Sequence, residues 1–241
     1  MIKLEHVVLA SPEQMSFIIQ GLRNPMNSWG KSDSYENYEA EYDDDLPGVE
    51  IHHPYFRVGA ADQDLMRRLA NAGTDHRKFM RMMPVYVRIT APLYWWKEFD
   101  TYKVGTVANS CSIMHKIMDK EFTLEDFSCE HLYQETYDLF RLTVDHLNKV
   151  RDIYLHGGVL RVGEAPAWFE PKDKEIWWQM IQLLPSSYNQ TRNVMMNYEV
   201  LANIYKSRKD HKLDEWREFC KWIESLPFHE LIDETNSSYE G

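Results

Sequence analysis

Asn197, Leu201, Ile204 and Arg208 share one stripe if residues 193–208 form a helix turning about 100° per residue. The stripe has an amide at one end, a guanidinium at the other and an aliphatic middle. Such a face suits a ligand with polar ends and an apolar body. It equally suits a core stripe with polar ends, and periodicity alone leaves the two readings even. Asn203 lies on the same helix, and the segment 184–192, Leu-Pro-Ser-Ser-Tyr-Asn-Gln-Thr-Arg, enters it as a polar turn. Cys111 sits in Asn109-Ser-Cys-Ser112, a small polar stretch that could hold a nucleophile. A thiol needs a neighbouring base or cation to become a thiolate, and His115 and Lys116 are the local candidates. A buried, inert cysteine is the commoner case. His76, in Gly-Thr-Asp-His-Arg-Lys, could hydrogen-bond an anionic ligand or simply face solvent. His52 and His53 are adjacent, cannot share one helix face and read as loop histidines rather than metal ligands. Glycine-rich dinucleotide and phosphate loops and the Gly-x-Ser-x-Gly elbow do not occur.

The elements that must position these residues read as helices with a few strands. Residues 2–9 suit an edge strand. Ser11 and Pro12 suit a cap and a first helical position, with the helix running to about Gly21. Residues 23–54 read as a long irregular acidic loop holding Asp43-Asp44-Asp45 and the turn pair Pro47-Gly48. Leu65, Met66, Leu69 and Ala70 predict a helix over 60–72 stopped by Gly73. Val85, Val87 and Ile89 alternate with Tyr86, Arg88 and Thr90, which predicts a strand ended by Ala91-Pro92. Residues 93–100 read as an aromatic helix and 101–112 as a loop. Thr123 suits a cap. A long amphipathic helix is expected over 131–156, with Leu132, Leu139, Val144, Leu147 and Val150 on its buried side and Gly157-Gly158 at its end. Pro166 and Pro171 break the following stretch. Further helices are expected over 175–184, 193–207 and 213–225, the last ended by Pro227, with a frayed polar tail over 233–241. Helices and strands in this order, without βαβ succession, suggest a single α+β domain with its core over 60–227.

Composition narrows the function classes. With 241 residues, 44% of them hydrophobic, and eight Trp, the chain can bury a substantial core and is not disordered. A formal net charge of −11 argues against nucleic-acid or membrane-surface binding, though not against a local basic pocket for one phosphate. Three widely spaced cysteines indicate neither a disulfide framework nor a zinc site. The N-terminus carries no signal-peptide pattern, and no stretch approaches the roughly 18 apolar residues of a membrane span. A protein of a reducing, cytoplasmic compartment is expected.

The C-terminal part resembles the flavin-dependent thymidylate synthases. In that family a Leu-Pro turn leads to an Asn-x-Arg-x-x-x-Asn helix ending in Leu-Arg, then to an Ala-Gln-x-Glu-Ile-Arg helix. This chain has Leu184-Pro185, then Asn197, Asn203 and Arg208, then Asp214-Glu-Trp-Arg217, and the spacing from Leu-Pro to Asn197 fits without a gap. His76 precedes the strand that ends in Ala91-Pro92, as a family His does. The family signature Arg-His-Arg-x-x-Ser, then Asn-Glu-x-Ser-x-Arg, reads here as Thr101-Tyr-Lys-Val-Gly-Thr106, then Ala108-Asn-Ser-Cys-Ser-Ile113. The resemblance spans roughly residues 76–227, with a weakly matching middle.

The resemblance implies a mostly antiparallel sheet packed with long helices, and a protein that binds FAD and a pyrimidine deoxynucleotide. It implies methylation of the base of dUMP from methylene-tetrahydrofolate with NADPH as reductant, in a homotetramer. It assigns His76, Val104, Asn197, Glu199 and Asn203 to the flavin. Glu98, Asn109, Cys111, Ser112 and Arg208 fall to the nucleotide, and Thr101, Tyr102 and Lys103 to the catalytic signature. No metal is implied. The departures concern charge: Thr101, Tyr102 and Lys103 replace Arg, His and Arg, Ile113 replaces a nucleotide-binding Arg, and Glu199 stands where an Arg meets the flavin phosphate. Each lost Arg removes a planar fork that Lys cannot copy. A nucleotide-binding or structural homologue without turnover is therefore the alternative expectation.

Overall fold

The computed structural model describes residues 1–42, 50–112 and 116–237 of the protein. The acidic run Asp43-Asp44-Asp45, the Pro47-Gly48 pair, Ile113, His115 and residues 238–241 lie outside the described residues. Strand β1 (Lys3–Leu9) leads to helix α1 (Pro12–Arg23). The Ser11 side chain accepts from the Gln14 amide at 3.2 Å while the Gln14 side chain accepts from the Ser11 amide at 2.9 Å, a reciprocal capping box. Met15, Ile18, Ile19 and Leu22 form the buried face of α1.

The predicted acidic loop is in large part a β-hairpin. Strands β2 (Tyr35–Tyr42) and β3 (Glu50–Arg57) pair antiparallel, with Tyr38 opposite Pro54 and Ala40 opposite His52. His52 and His53 are thus strand residues rather than loop histidines, and His53 pairs with Glu41 across the hairpin at 2.9 Å. Helix α2 (Ala60–Asn71) starts after Gly59, and its free amides at Ala61 and Asp62 donate to the Asp33 carboxylate at 2.9 and 3.1 Å. A short helix α3 (Lys78–Met82) precedes β4 (Pro84–Pro92), whose inward side chains Val85, Val87, Ile89 and Ala91 are fully buried, as the alternation predicts. Helix α4 (Leu93–Phe99) follows, then β5 (Val107–Ser110) inside the stretch read as a loop.

Helix α5 (Gln134–His156) buries Val144, Leu147, Val150 and Ile153. Leu139 is 65% exposed, so the buried stripe occupies only the C-terminal half of the helix. Gly157, at φ +78°, ends it as the diglycine predicts. Strands β6 (Gly158–Val162) and β7 (Ala165–Phe169) form a second hairpin. Pro166 does not break this stretch: it sits in β7 opposite Arg161, a position a two-stranded edge tolerates. Helix α6 (Lys174–Leu183) is capped by Asp173, which accepts from Glu175 N at 2.7 Å.

Strand β8 (Asn189–Asn197) occupies residues expected as turn and helix, and helix α7 (Tyr198–Arg208) begins only after it. Helix α8 (Asp214–Glu224) and helix α9 (Glu230–Ser237) complete the described chain, so residues 233–237 of the expected frayed tail are helical. The strands β1-β4-β8-β5 form one sheet in that order. Contacts between β4 and β8 run antiparallel: Arg88 meets Asn193 and Thr90 meets Thr191, one residue number rising as the other falls.

The chain divides into two compact units. One comprises Met1–Lys3, Ile89–Thr101 and Asn109–Arg192; the other comprises Leu4–Arg88, Tyr102–Ala108 and Asn193–Gly241. In the first unit α5 packs on α6, and Phe122, Phe127, Leu147, Val150, Ile176 and Met180 belong to one buried cluster. In the second, α9 packs on α2 and α7, α7 on α8 and α3, and α1 on α3 and the β2–β3 hairpin. Among its buried charged side chains is Asp62, which accepts from Arg23 Nε at 2.5 Å and from the Ser32 and Ser34 hydroxyls, each at 2.6 Å. Burial alone would raise the Asp62 carboxyl, but the bonds from Ser32, Ser34 and Arg23 outweigh it and hold the pKa below the ordinary value. Among the described residues, no helix is long and apolar enough to cross a membrane, and no group of three or more His, Cys, Asp or Glu side chains could hold a metal ion.

Candidate functional site

In the second unit the candidates gather around α7. Val194, Met196 and Tyr198 are buried while Asn193 is exposed, the alternation of a strand, so β8 runs up to Asn197 before the helix starts. Asn197 is the N-cap of α7: its side-chain oxygen accepts from Val200 N at 3.0 Å, with extended backbone. It does not lie on a helical stripe with Leu201, Ile204 and Arg208, and Leu201 and Ile204 are core. Asn203 is exposed on α7, and Arg208 is its last residue.

The loop 102–106 packs against the start of this helix. Gly105 takes φ +83°, and a Cβ there would come within 2.9 Å of Val200 Cγ2 and 3.1 Å of Asn197 Nδ2. Only glycine satisfies both the backbone conformation and this close approach. The Thr106 hydroxyl donates to the Tyr102 carbonyl and closes the turn. Tyr102 in turn reaches the far end of α7: its phenol oxygen accepts from Arg208 Nε at 3.0 Å. The Arg208 guanidinium lies 5.7 Å from the Tyr102 ring centre and 4.8 Å from that of Trp216. The rings of Tyr102 and Trp216 meet edge-on at 6.0 Å, and Trp216 is fully buried. Lys103 is exposed, and Val104 is 92% exposed.

Glu199, in the first turn of α7, has its charge answered within the unit. Arg81 donates to it through Nε and also through a second nitrogen at 3.2 Å, and Arg77 Nε lies 3.4 Å away. Two guanidinium groups thus face the one Glu199 carboxylate, and the Asp75 carboxylate also acts electrostatically on Arg81. The bond to Glu199 raises the Arg81 pKa above its ordinary value, so Arg81 stays charged. His76 is exposed in the turn before α3, with its backbone N donating to Gly73 O at 3.1 Å. In the sequence Arg77 stands out only as a neighbour of His76, and nothing local singles out Arg81 or Gly105: Arg77 is the N-cap of α3 and Arg81 lies within it, so no shared helix face marks the pair.

In the first unit, Thr101 caps the C-terminal end of α4: its hydroxyl donates to the Glu98 carbonyl at 2.7 Å. That bond turns the Thr101 hydroxyl toward its own helix end. Glu98 is half-buried, and Asn109 is exposed on β5. Cys111 and Ser112 are exposed and line a cavity of about 600 Å³, with Lys116, Lys120, Tyr188 and Thr191 among its other walls. Lys116 pairs with Asp119 at 3.0 Å and Lys120 with Asp126, so these cations are internally balanced. Cys111 is thus exposed rather than buried as in the commoner case. At the floor, Gln190 donates to Cys111 O at 2.8 Å and accepts from Arg192 Nε at 2.9 Å. Arg192 also pairs with Asp100 at 2.7 Å and stacks 4.2 Å above Trp96.

No protein-family model and no curated protein matches the sequence. Solved structures do match. A thymidylate synthase X (ThyX) from Helicobacter pylori with FAD and dUMP superposes with a TM-score of 0.62, at 14% identity, covering 98% of this chain and 99% of that one. A second structure, of the flavin-dependent thymidylate synthase ThyX from Helicobacter pylori complexed with FAD and dUMP, gives 0.59 at 14% identity, covering 99% and 97%. The likeness extends over essentially the whole length of both chains and establishes the fold: mixed helix and strand with an antiparallel sheet, as the resemblance implies.

Proposed function

We propose that this chain is a flavin-dependent enzyme of pyrimidine deoxynucleotides, binding FAD and dUMP and methylating the nucleotide base from a methylene-folate. The observation that carries the reading lies within one unit: the loop 102–106 is seated on the start of α7 through Gly105 and tied to its end through Tyr102 and Arg208. A loop fixed at both ends of a helix is a rigid place to hold a ligand. The whole-length likeness to structures that hold FAD and dUMP supports the same reading.

Glu199 decides whether the residues fit a flavin. An unanswered carboxylate in its place would repel a phosphate. Paired with Arg77 and Arg81 it instead orients two guanidinium groups, one of them on the half-exposed Arg81 side chain. The residues therefore fit a phosphate-bearing group: Arg77 and Arg81 would hold its charge, and His76 and Asn203 would supply hydrogen bonds. When bound, FAD supplies hydride chemistry that no side chain can. The chain's own task is to bind and orient. Arg208 offers a guanidinium to an anionic or carbonyl-bearing nucleotide. Lys103, exposed on the same loop, offers a mobile ammonium to a phosphate. NADPH as reductant and a tetrameric assembly complete the proposal.

Release of tritium from 5-tritiated dUMP, with FAD, NADPH and methylene-tetrahydrofolate supplied, tests the reaction. Turnover above a no-enzyme control is expected. Binding of dUMP without tritium release would place the chain among nucleotide-binding homologues instead.

A further inference from the structure

Tyr102 occupies the signature position, yet its contacts run to another side chain. We infer that Tyr102 is a positioning residue: it holds Arg208 in a fixed plane for recognition of a pyrimidine nucleotide, the class of ligand named above. The inference rests on that reading for the ligand, and on this structure alone for the contact.

The backbone of Tyr102 is fixed before its side chain acts. Gly105 at positive φ and the Thr106 hydroxyl on the Tyr102 carbonyl set the turn. The phenol then stands where it accepts from Arg208 Nε at 3.0 Å. Arg208 is the last residue of its helix, where helices fray and a long side chain has many rotamers. The contacts that restrict it include the phenol oxygen, the Tyr102 ring at 5.7 Å and the buried Trp216 ring at 4.8 Å. Trp216 is itself braced by Tyr102 at 6.0 Å and by His211 at 6.4 Å, both edge-on. With Nε engaged and an aromatic ring near the guanidinium on each of two elements, the plane of the fork is set. A guanidinium presented in a set plane recognises phosphate oxygens or the carbonyl edge of a pyrimidine with less ordering cost. A histidine could accept through a ring nitrogen but is shorter. The tyrosine therefore makes this reach from the loop a feature of this chain.

Two measurements on the full chain separate the contact from the ligand. Nitrogen-15 NMR of the protein without nucleotide should show the Arg208 Nε–H as a slowly exchanging signal, absent in Arg208→Lys and exchanging fast in Tyr102→Phe. Calorimetric titration of the FAD-supplemented protein with dUMP should show Tyr102→Phe weakening binding roughly tenfold, about 1.4 kcal/mol. Arg208→Ala should weaken it at least as much, and the double variant should be no weaker than Arg208→Ala. Additive losses in the double variant, or slow exchange retained in Tyr102→Phe, would overturn the positioning role. Fast exchange in Tyr102→Phe combined with dUMP binding indifferent to Arg208→Ala would uphold the contact and overturn its use in nucleotide recognition.

Discussion

At the residue scale, two acidic side chains show how charge is handled far from its sequence neighbours. Glu199 looks like a reversed charge in a phosphate-binding helix, but its partners are Arg77 and Arg81, more than a hundred positions away. Its substitution is legible in the sequence; its neutralisation is not, because a pairing over that separation leaves no local pattern. Asp62 is the second case. Its carboxyl is held below the ordinary pKa, so the stability it contributes is present above the unfolded value of about 3.9 and is lost as pH falls through the folded value. Asp62→Asn should destabilise the protein at neutral pH by roughly 3–5 kcal/mol, since it leaves Arg23 buried without its counter-charge. Denaturant unfolding of both proteins from pH 7 to pH 2 should show the two curves converging at acid pH. A constant gap across that range would contradict the assignment.

At the element scale, the boundary between β8 and α7 decides what Asn197 does. Along residues 193–198 every second side chain is buried and the others are half-buried or exposed, while residues 198–208 carry a helical period, and the two patterns overlap at the site. Reading the helical period back to residue 193 moves Asn197 from cap to helix face. The strand β4 is legible because its alternation is uninterrupted. The hairpin Tyr35–Tyr42 with Glu50–Arg57 is not, since glutamates are poor strand formers and Pro54 suggests a break. Two substitutions test the local account. Asn197→Ala should lower stability by about 1 kcal/mol, and Asn197→Asp should retain most of it, because an aspartate can accept from the Val200 amide as well. Thermal melts suffice, with an expected loss of roughly 2–4 °C in Tm for Asn197→Ala. Gly105→Ala places a methyl 2.9 Å from Val200 in a backbone region that L residues avoid, and should cost roughly 1–3 kcal/mol. A wild-type Tm for Gly105→Ala would show that the loop does not pack on α7 as described.

At the scale of the whole molecule, the likeness lies in the fold rather than in the sequence. The chain superposes over nearly all of a ThyX from Helicobacter pylori at 14% identity. The residues that carry the resemblance seen in the sequence form a framework: Leu184-Pro185 before β8, Asn197 at its end, Asn203 and Arg208 along α7, and Ala91-Pro92 closing β4. Apart from Asn203, these residues sit at strand ends, caps and helix termini, where geometry restricts the choice of side chain. That is why the α+β class and the C-terminal resemblance are legible in the sequence. The partners of Tyr102 and Glu199 are set by packing and are not. The proposal that this chain binds flavin is tested most directly by the visible absorption spectrum of the purified full chain after incubation with excess FAD and gel filtration. Retained flavin in near-equimolar amount, with a band that shifts on adding dUMP, is the result expected. A protein that emerges colourless after saturating FAD would contradict the claim.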